Sequence, residues 1–182
     1  VERLSAAPVR ERFDGRAFRD ALGRFASGVT VIAGLDAAGD PAGLACQSFA
    51  SLSLDPPLVL ACIARTSTSW ARLLPTGRFS VSILADDQKD VCAALGRPGP
   101  DKFAGVPLAV TRDGGIRIEG ALAHLDCTVD EAVAAGDHDI VVGRVTDLRA
   151  RGTGRPLLFY RSGFGTGNFA PDAPAEVLSD WL

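Results

Sequence analysis

Apolar residues in this chain come in short runs, and turn residues cut every run long before it could make an extended helix. Residues 29–35 are rich in β-branched side chains and run into Asp36-Ala37-Ala38-Gly39-Asp40-Pro41, a turn. A second strand is predicted from residue 44 to about 51, broken by Pro56-Pro57, and residues 58–64 form a near-continuous apolar strand. Residues 79–84 read as another strand. Residues 122–133 and 140–148 read as two long strands joined by Ala135-Gly136-Asp137-His138, and residues 157–160 as the last. Helical stripes are few. One carries Ala17, Phe18, Ala21, Leu22 and Phe25 behind an Asp14 cap, with Gly28 as its stop. A short one follows residues 66–69 with Trp70, Leu73 and Leu74 on its buried side, and a third spans about 86–95, before a Gly/Pro-containing loop at 97–105. Strands at hairpin spacing with few helices predict a closed, mostly antiparallel barrel with short peripheral helices rather than a βαβ fold.

At 182 residues, with no linker or repeat, the chain is expected to form one domain over 14–165, with a leader at 1–13 and an extended arm at 166–182. Lys and Arg number 19 against 22 Asp and Glu, and no block of like charge occurs, which argues against a nucleic-acid surface. No apolar run approaches the roughly 18 residues of a membrane span. The first residues show no apolar signal segment, so a cytoplasmic location is expected. Cys46, Cys62, Cys92 and Cys127 stand 16, 30 and 35 positions apart, far from metal-finger spacing, and no metal site is expected.

Several segments carry polar chemistry. Ser48, Ser51 and Ser53 place hydroxyls in the otherwise apolar stretch 43–57, where they suit a phosphate or a polar ring edge, or simply face solvent on an edge strand. In Arg65-Thr66-Ser67-Thr68-Ser69 the hydroxyls precede a helix, as an anion site or as a plain N-cap. His138, in the turn before a strand, is a candidate proton donor or ring contact. Asp101-Lys102-Phe103 offers either a phosphate contact or a loop anchored by Phe103. The glycines at 163, 165 and 167 open no helix, so neither a P-loop nor a dinucleotide fingerprint is supported, and no nucleophile elbow occurs.

Taken in order, Phe25-Ala-Ser-Gly-Val-Thr-Val31, Gln47-Ser-Phe-Ala-Ser-Leu-Ser-Leu-Asp-Pro-Pro57, Phe79-Ser-Val-Ser-Ile-Leu84, Asp101-Lys-Phe-Ala-Gly105, Gly136-Asp-His138 and Pro156-Leu-Leu-Phe-Tyr160 resemble the flavin reductase-like family. Its members are small reductases that serve two-component flavin monooxygenases, and the likeness runs from about residue 18 to 164. The resemblance implies an FMN-binding, Greek-key-like split β-barrel that works as a homodimer. It implies an oxidoreductase that reduces FMN or FAD with NADH or NADPH and delivers reduced flavin to a partner oxygenase. By the same resemblance, Ala45, Cys46, Gln47, Ser48, Phe49, Ser51 and Ser53 hold the flavin, together with Cys62, Ala64, Ser67, Thr68 and Ser69. Lys102 and Phe103 approach it from a loop. His138 takes the catalytic position beside the nicotinamide, and Tyr160 lies near it on the closing strand. Competing readings are a reductase or oxidase of the same fold that keeps its flavin tightly and serves another acceptor, and a flavin-binding module without turnover. The chain departs from the family at Ala45, where Thr is usual, at Gln47, where Ser or Asn is more common, and at Ser82, where Asn is usual.

Overall fold

The structure, a computed structural model, describes residues 13–99 and 101–167. The expected leader and arm lie outside these residues, apart from Phe13, Thr166 and Gly167. Helix α1 (Gly15–Leu22) is followed by β1 (Ser27–Gly28), β2 (Thr30–Leu35), β3 (Pro41–Cys46), β4 (Phe49–Leu54) and β5 (Pro57–Ala64). Then come α2 (Thr68–Leu73), a 3-10 turn (Leu74–Thr76), β6 (Arg78–Ile83), α3 (Lys89–Gly96) and the short strands β7 (Leu108–Val110) and β8 (Ile116–Ile118). A long hairpin, β9 (Ala123–Ala135) and β10 (His138–Ala150), leads to β11 (Leu157–Tyr160) and β12 (Gly163–Thr166). The chain is mostly β, as the short apolar runs require.

Seven strands form one antiparallel sheet in the order β3-β2-β6-β9-β10-β5-β4. Its two edge strands, β3 and β4, are consecutive in the chain and separated only by Gln47 and Ser48. Three Cα steps reach at most about 11 Å, so the edges lie close together and the sheet must curl. No hydrogen-bonded ladder joins β3 to β4, so the curl stays open. Its concave side holds Ile32, Ala61, Ile63, Phe79, Val81 and Val141, with Trp70 and Leu73 of α2 packed among them. Trp70 meets Phe79 edge-on at 5.8 Å between centroids. Gly143 makes room for that ring, because a Cβ there would stand 2.7 Å from Phe79 Cζ. The other face of β2 presents Val31 and Ala33, with Val29 just before the strand, to Leu95 of α3, Ile116 and Ile118 of β8 and Leu157 of β11.

Several expectations need correction. The single strand predicted over 44–51 is two strands on opposite sheet edges, because the chain crosses from β2's side to β5's side at Gln47-Ser48. Asp14 does cap α1, its Oδ1 accepting from the Arg16 and Ala17 amides at 3.0 and 2.7 Å. The helix stops at Gly23, not Gly28, since Ser27 and Gly28 are drawn into pairing with Phe159 and Leu158. Leu74 is not on the buried side; α2 ends at Leu73, and the 3-10 turn swings Leu74 outward. The β7–β8 hairpin was not predicted, because three-residue strands are too short to show alternation.

Polar side chains bolt the outer layer to the sheet. Ser80 Oγ donates to Asp126 at 2.6 Å, and Arg117 spans Asp126 and Asp147. Ser82, fully buried, accepts from the Ile118 amide at 3.0 Å and lies 3.2 Å from His124 Nδ1. Burial and the neighbouring Arg117 charge push the His124 pKa below its ordinary 6.5. Below that value the unfolded chain takes up the proton first, so stability falls as pH drops from about 6.5 through the lower folded value. Asp36, held low by the Asp40 amide and the Arg72 guanidinium, acts in a separate window below 3.8. The urea midpoint is expected to fall between about pH 7.5 and 5.5, and His124→Asn to remove most of that slope; an identical slope in the variant excludes His124 as its source.

Candidate functional site

The corner between β3 and β4 is fastened on both sides. Thr30 Oγ, buried on β2, donates to the Cys46 carbonyl at 2.7 Å, and the Cys62 amide on β5 donates to the Ser48 carbonyl at 3.0 Å. Gln47 between them is held outward and exposed. Burial pushes the Cys46 thiol up to about 11, against the lowering effect of the Ser48 amide. A thiol so raised is neutral near pH 7 and no nucleophile.

Around this corner lies a groove of about 380 Å³. Ala45, Cys46, Gln47 and Ser48 form its floor at one end, and Cys62 and Ala64 of β5 form the adjoining wall. Ser67, Lys102 and His138 complete it, so nine of the residues singled out from the sequence meet in one place. At Gln47, Ser48 and Cys62 it passes into a more apolar trough of about 600 Å³ that Phe49 lines, with Leu22, Phe25 and Leu60. Both volumes suit a small-molecule site, which usually spans about 300–1,000 Å³.

Lys102 is half-buried, and its Nζ donates to the Gly43 carbonyl at 3.3 Å, Ser69 Oγ at 3.0 Å and the Leu95 carbonyl at 3.3 Å. Burial lowers its pKa from the ordinary lysine value. All three acceptors are neutral, so its charge remains uncompensated by them at the groove wall. Phe103 turns the other way into the outer apolar layer and lies over Gly43, where a Cβ would stand 2.7 Å from its Cζ. Ser67 is an N-cap as well as a lining residue, its Oγ accepting from the Trp70 amide at 3.2 Å. His138 opposes Ala64 across the β5–β10 ladder, and its Nδ1 is 2.7 Å from Asp137 Oδ1. That contact holds the Asp137 carboxyl below its usual value. The turn is closed from β5 by the Arg65 amide, which donates to the Asp137 carbonyl at 3.0 Å, and by an Arg65–Asp139 pair at 3.7 Å.

The remaining candidates are not brought to the groove. Ser51 pairs with core-facing Val59 and Ser53 with Leu58, lower on the β4 edge. Thr68 begins α2 without lining the groove, and the buried Ser69 hydroxyl is taken by Lys102. Tyr160 ends β11, opposite Gly163. Sequence reasoning missed Leu44, Ile63, Leu95 and Gly96 in the lining, and Thr30 behind the corner. The alternation of Leu44 with Cys46 was a usable signal; Leu95 and Gly96 depend on how α3 docks.

Comparison with known proteins adds a decisive observation: the profile of the family described as flavin reductase like domain matches residues 22–168. The chain belongs to this family. Among relatives of this flavin reductase-like chain is the reductase subunit HsaB of a flavin-dependent monooxygenase from Rhodococcus jostii. It is 47% identical over 155 residues, which cover 85% of this chain and 79% of that protein. Among solved structures, a homologue of nitrilotriacetate monooxygenase component B from Mycobacterium thermoresistibile superimposes with a TM-score of 0.85 at 45% identity, covering 91% of this chain and 93% of that one. An NADH:FAD oxidoreductase of Streptomyces globisporus, solved with NAD and FAD fragments, gives 0.81 at 32% identity, covering 92% and 99%.

Of the departures from the family pattern, Ala45 and Gln47 line the groove, whereas Ser82 is a buried bolt to β8 and His124. Gly43 lets the tip of Phe103 come close to β3, and its carbonyl accepts from the neighbouring Lys102. Gly43→Ala is expected to displace that ring, crowd Ala33, whose Cβ would stand 2.9 Å away, and destabilise the protein by about 1–3 kcal/mol, read from urea unfolding; a loss below about 0.5 kcal/mol means that both neighbours yield freely.

Proposed function

We propose that this oxidoreductase is an NAD(P)H:flavin reductase whose groove binds FMN or FAD and releases it reduced to a partner oxygenase. The observation that carries the reading is the convergence of hydroxyls, an amide and an uncompensated ammonium on one groove in a chain of this family. Lys102 and Ser67 fit the phosphate end of a flavin, since a half-buried ammonium with only neutral partners gains most from an anion. The exposed Gln47 amide offers both a donor and an acceptor to the polar edge of the ring. Ser48, Cys46, Ala45, Phe49, Cys62 and Ala64 shape the surface on which it lies. Ser51, Ser53, Thr68, Ser69, Phe103 and Tyr160 are assigned to cofactor or donor by the resemblance, and their contribution through direct contact is expected to be smaller.

The bound flavin supplies the electron-accepting ring that takes a hydride from the nicotinamide. The chain's own residues bind, orient and keep water out. His138 donates from Nδ1 to the Asp137 carboxylate, which leaves Nε2 free to accept from a carboxamide N–H of the donor. No general base is required, in keeping with the neutral Cys46 thiol. The apolar side chains of Leu44 and Ile63 limit water around the rings.

The curled sheet is read as a split barrel, because its two edges are joined by only two residues, and residues 14–165 as its single domain. A homodimer is supported by α1, which buries none of its residues and leaves Phe18 and Leu22 at 49% and 58% exposure, and by Phe25 just after it at 81%. Two such side chains on α1, with Phe25 just beyond its C-terminus, call for a covering surface. A cytoplasmic location is supported by four free thiols; among the described residues no helix is long and apolar enough to cross a membrane.

Purified protein is expected to oxidise NADH or NADPH when FMN or FAD is added; no loss of nicotinamide absorbance with any of the four pairs refutes the reading. His138→Ala should raise the KM for the nicotinamide about tenfold and leave the flavin Kd within about twofold, while an equal loss of both overturns the assigned division. Light scattering should give twice the chain mass, and Phe25→Asp about half of that or a mixed population.

A further inference from the structure

We propose that Thr30 is a positioning residue for the flavin edge of the groove, holding the Cys46–Gln47 peptide so that the Gln47 N–H is presented to the ligand. The proposal rests on the flavin reductase reading and adds to it a residue that touches no ligand. Thr30 is buried and lines neither the groove nor the trough. It is the sole polar side chain of β2, whose other residues are Val31, Ile32, Ala33, Gly34 and Leu35. Packing alone would be served by valine, which has the same shape. A buried hydroxyl costs stability unless it is bonded. This one donates to the Cys46 carbonyl at 2.7 Å, the usual length of a good O–H···O bond. The hydroxyl therefore serves the corner rather than the strand that carries it.

The peptide bond carries the effect to the surface. Among the described residues the only cis peptide is Asp55-Pro56. The Cys46–Gln47 peptide is therefore trans and planar, and its N–H points opposite to its carbonyl. With the carbonyl drawn toward Thr30, the Gln47 N–H is turned away from β2. It has no acceptor among the described residues, and Gln47 is exposed. The Ser48 carbonyl is held in the same way from β5, by the Cys62 amide at 3.0 Å, so Gln47 sits between two fixed peptides. Of these two ties only the one from Thr30 is made by a side chain, and it can be removed without altering the lining. An N–H ordered before the ligand arrives binds without first losing that freedom.

The test uses two pairs that differ chiefly in the hydroxyl: the wild type with Thr30→Val, and Thr30→Ser with Thr30→Ala. Affinities for FMN and FAD are read from quenching of flavin fluorescence, and stability from the urea midpoint. Thr30→Val and Thr30→Ala are each expected to raise the flavin Kd about five- to tenfold, the scale of one hydrogen bond, with the nicotinamide KM within about twofold. Thr30→Ser loses a buried methyl but keeps the donor. It should lower the urea midpoint and yet bind flavin within about twofold of the wild type. A Kd unchanged in Thr30→Val, or one that follows the urea midpoint through all three variants, overturns the proposal. Hydrogen exchange of the Cys62 amide gives a readout without flavin. A loosened corner should speed it about five- to tenfold in Thr30→Val and Thr30→Ala over Thr30→Ser, and equal rates overturn the proposal. A wild type that binds neither flavin refutes the flavin reductase reading and the proposal with it, whereas equal affinities in the wild type and Thr30→Val remove only the role of Thr30.

Discussion

Gln47 and Ser48 join two edges of one sheet, and most of the molecule follows from that short reach. Because three Cα steps must carry the chain from β3 to β4, the seven strands curl, and the concave side they enclose becomes the core around Trp70, Leu73 and Phe79. The same crossing leaves a corner where neither neighbouring ladder continues. Its Cys46 and Ser48 carbonyls are met by Thr30 Oγ and the Cys62 amide, which pairs the acceptors on either side of Gln47. What remains outward at the corner is the part that can meet a ligand: the Gln47 side chain.

The groove is built by elements that have their own structural work. Ser67 caps α2, Ser69 receives Lys102, and Lys102 ties its loop to β3 and α3. A bare serine-for-anion account therefore overstates what these hydroxyls can newly offer. The charge on Lys102 differs, because neutral acceptors orient an ammonium without cancelling it. Gly43 is the hinge of this arrangement: without a Cβ it admits Phe103 against β3, and the adjacent Lys102 is thereby delivered to the wall.

How much of this was readable in the sequence depends on the range of the interaction. The run 157–160 and the cap at Asp14 are local, and both stand where the residues place them. The turn at Gly136-Asp137 is local too, and it sets His138 opposite Ala64. The β3–β4 break was invisible, because residues 44–51 are continuously compatible with a strand and only the distant partners β2 and β5 divide them. The end of α1 at Gly23 was set by β11, over a hundred residues later. Nine of the candidates drawn from family order line one groove, while Ser51 and Ser53 fall aside, since a hydroxyl pattern along an edge strand does not reveal which face meets the cleft.

These facts bear on how firmly such a site grips its ligand. Polar groups that already have partners give up those bonds, or share them, when a ligand arrives, so each contributes less than a free group would. Ser67 and Ser69 are in that position, and Lys102 adds an electrostatic contribution that salt and partial exposure weaken. The groove is also continuous with an open trough at Leu22 and Phe25 rather than sealed. On the function proposed above, this build favours moderate affinity with ready exit. For an enzyme whose product must leave before it can serve another protein, interactions held back from the ground state favour turnover over retention.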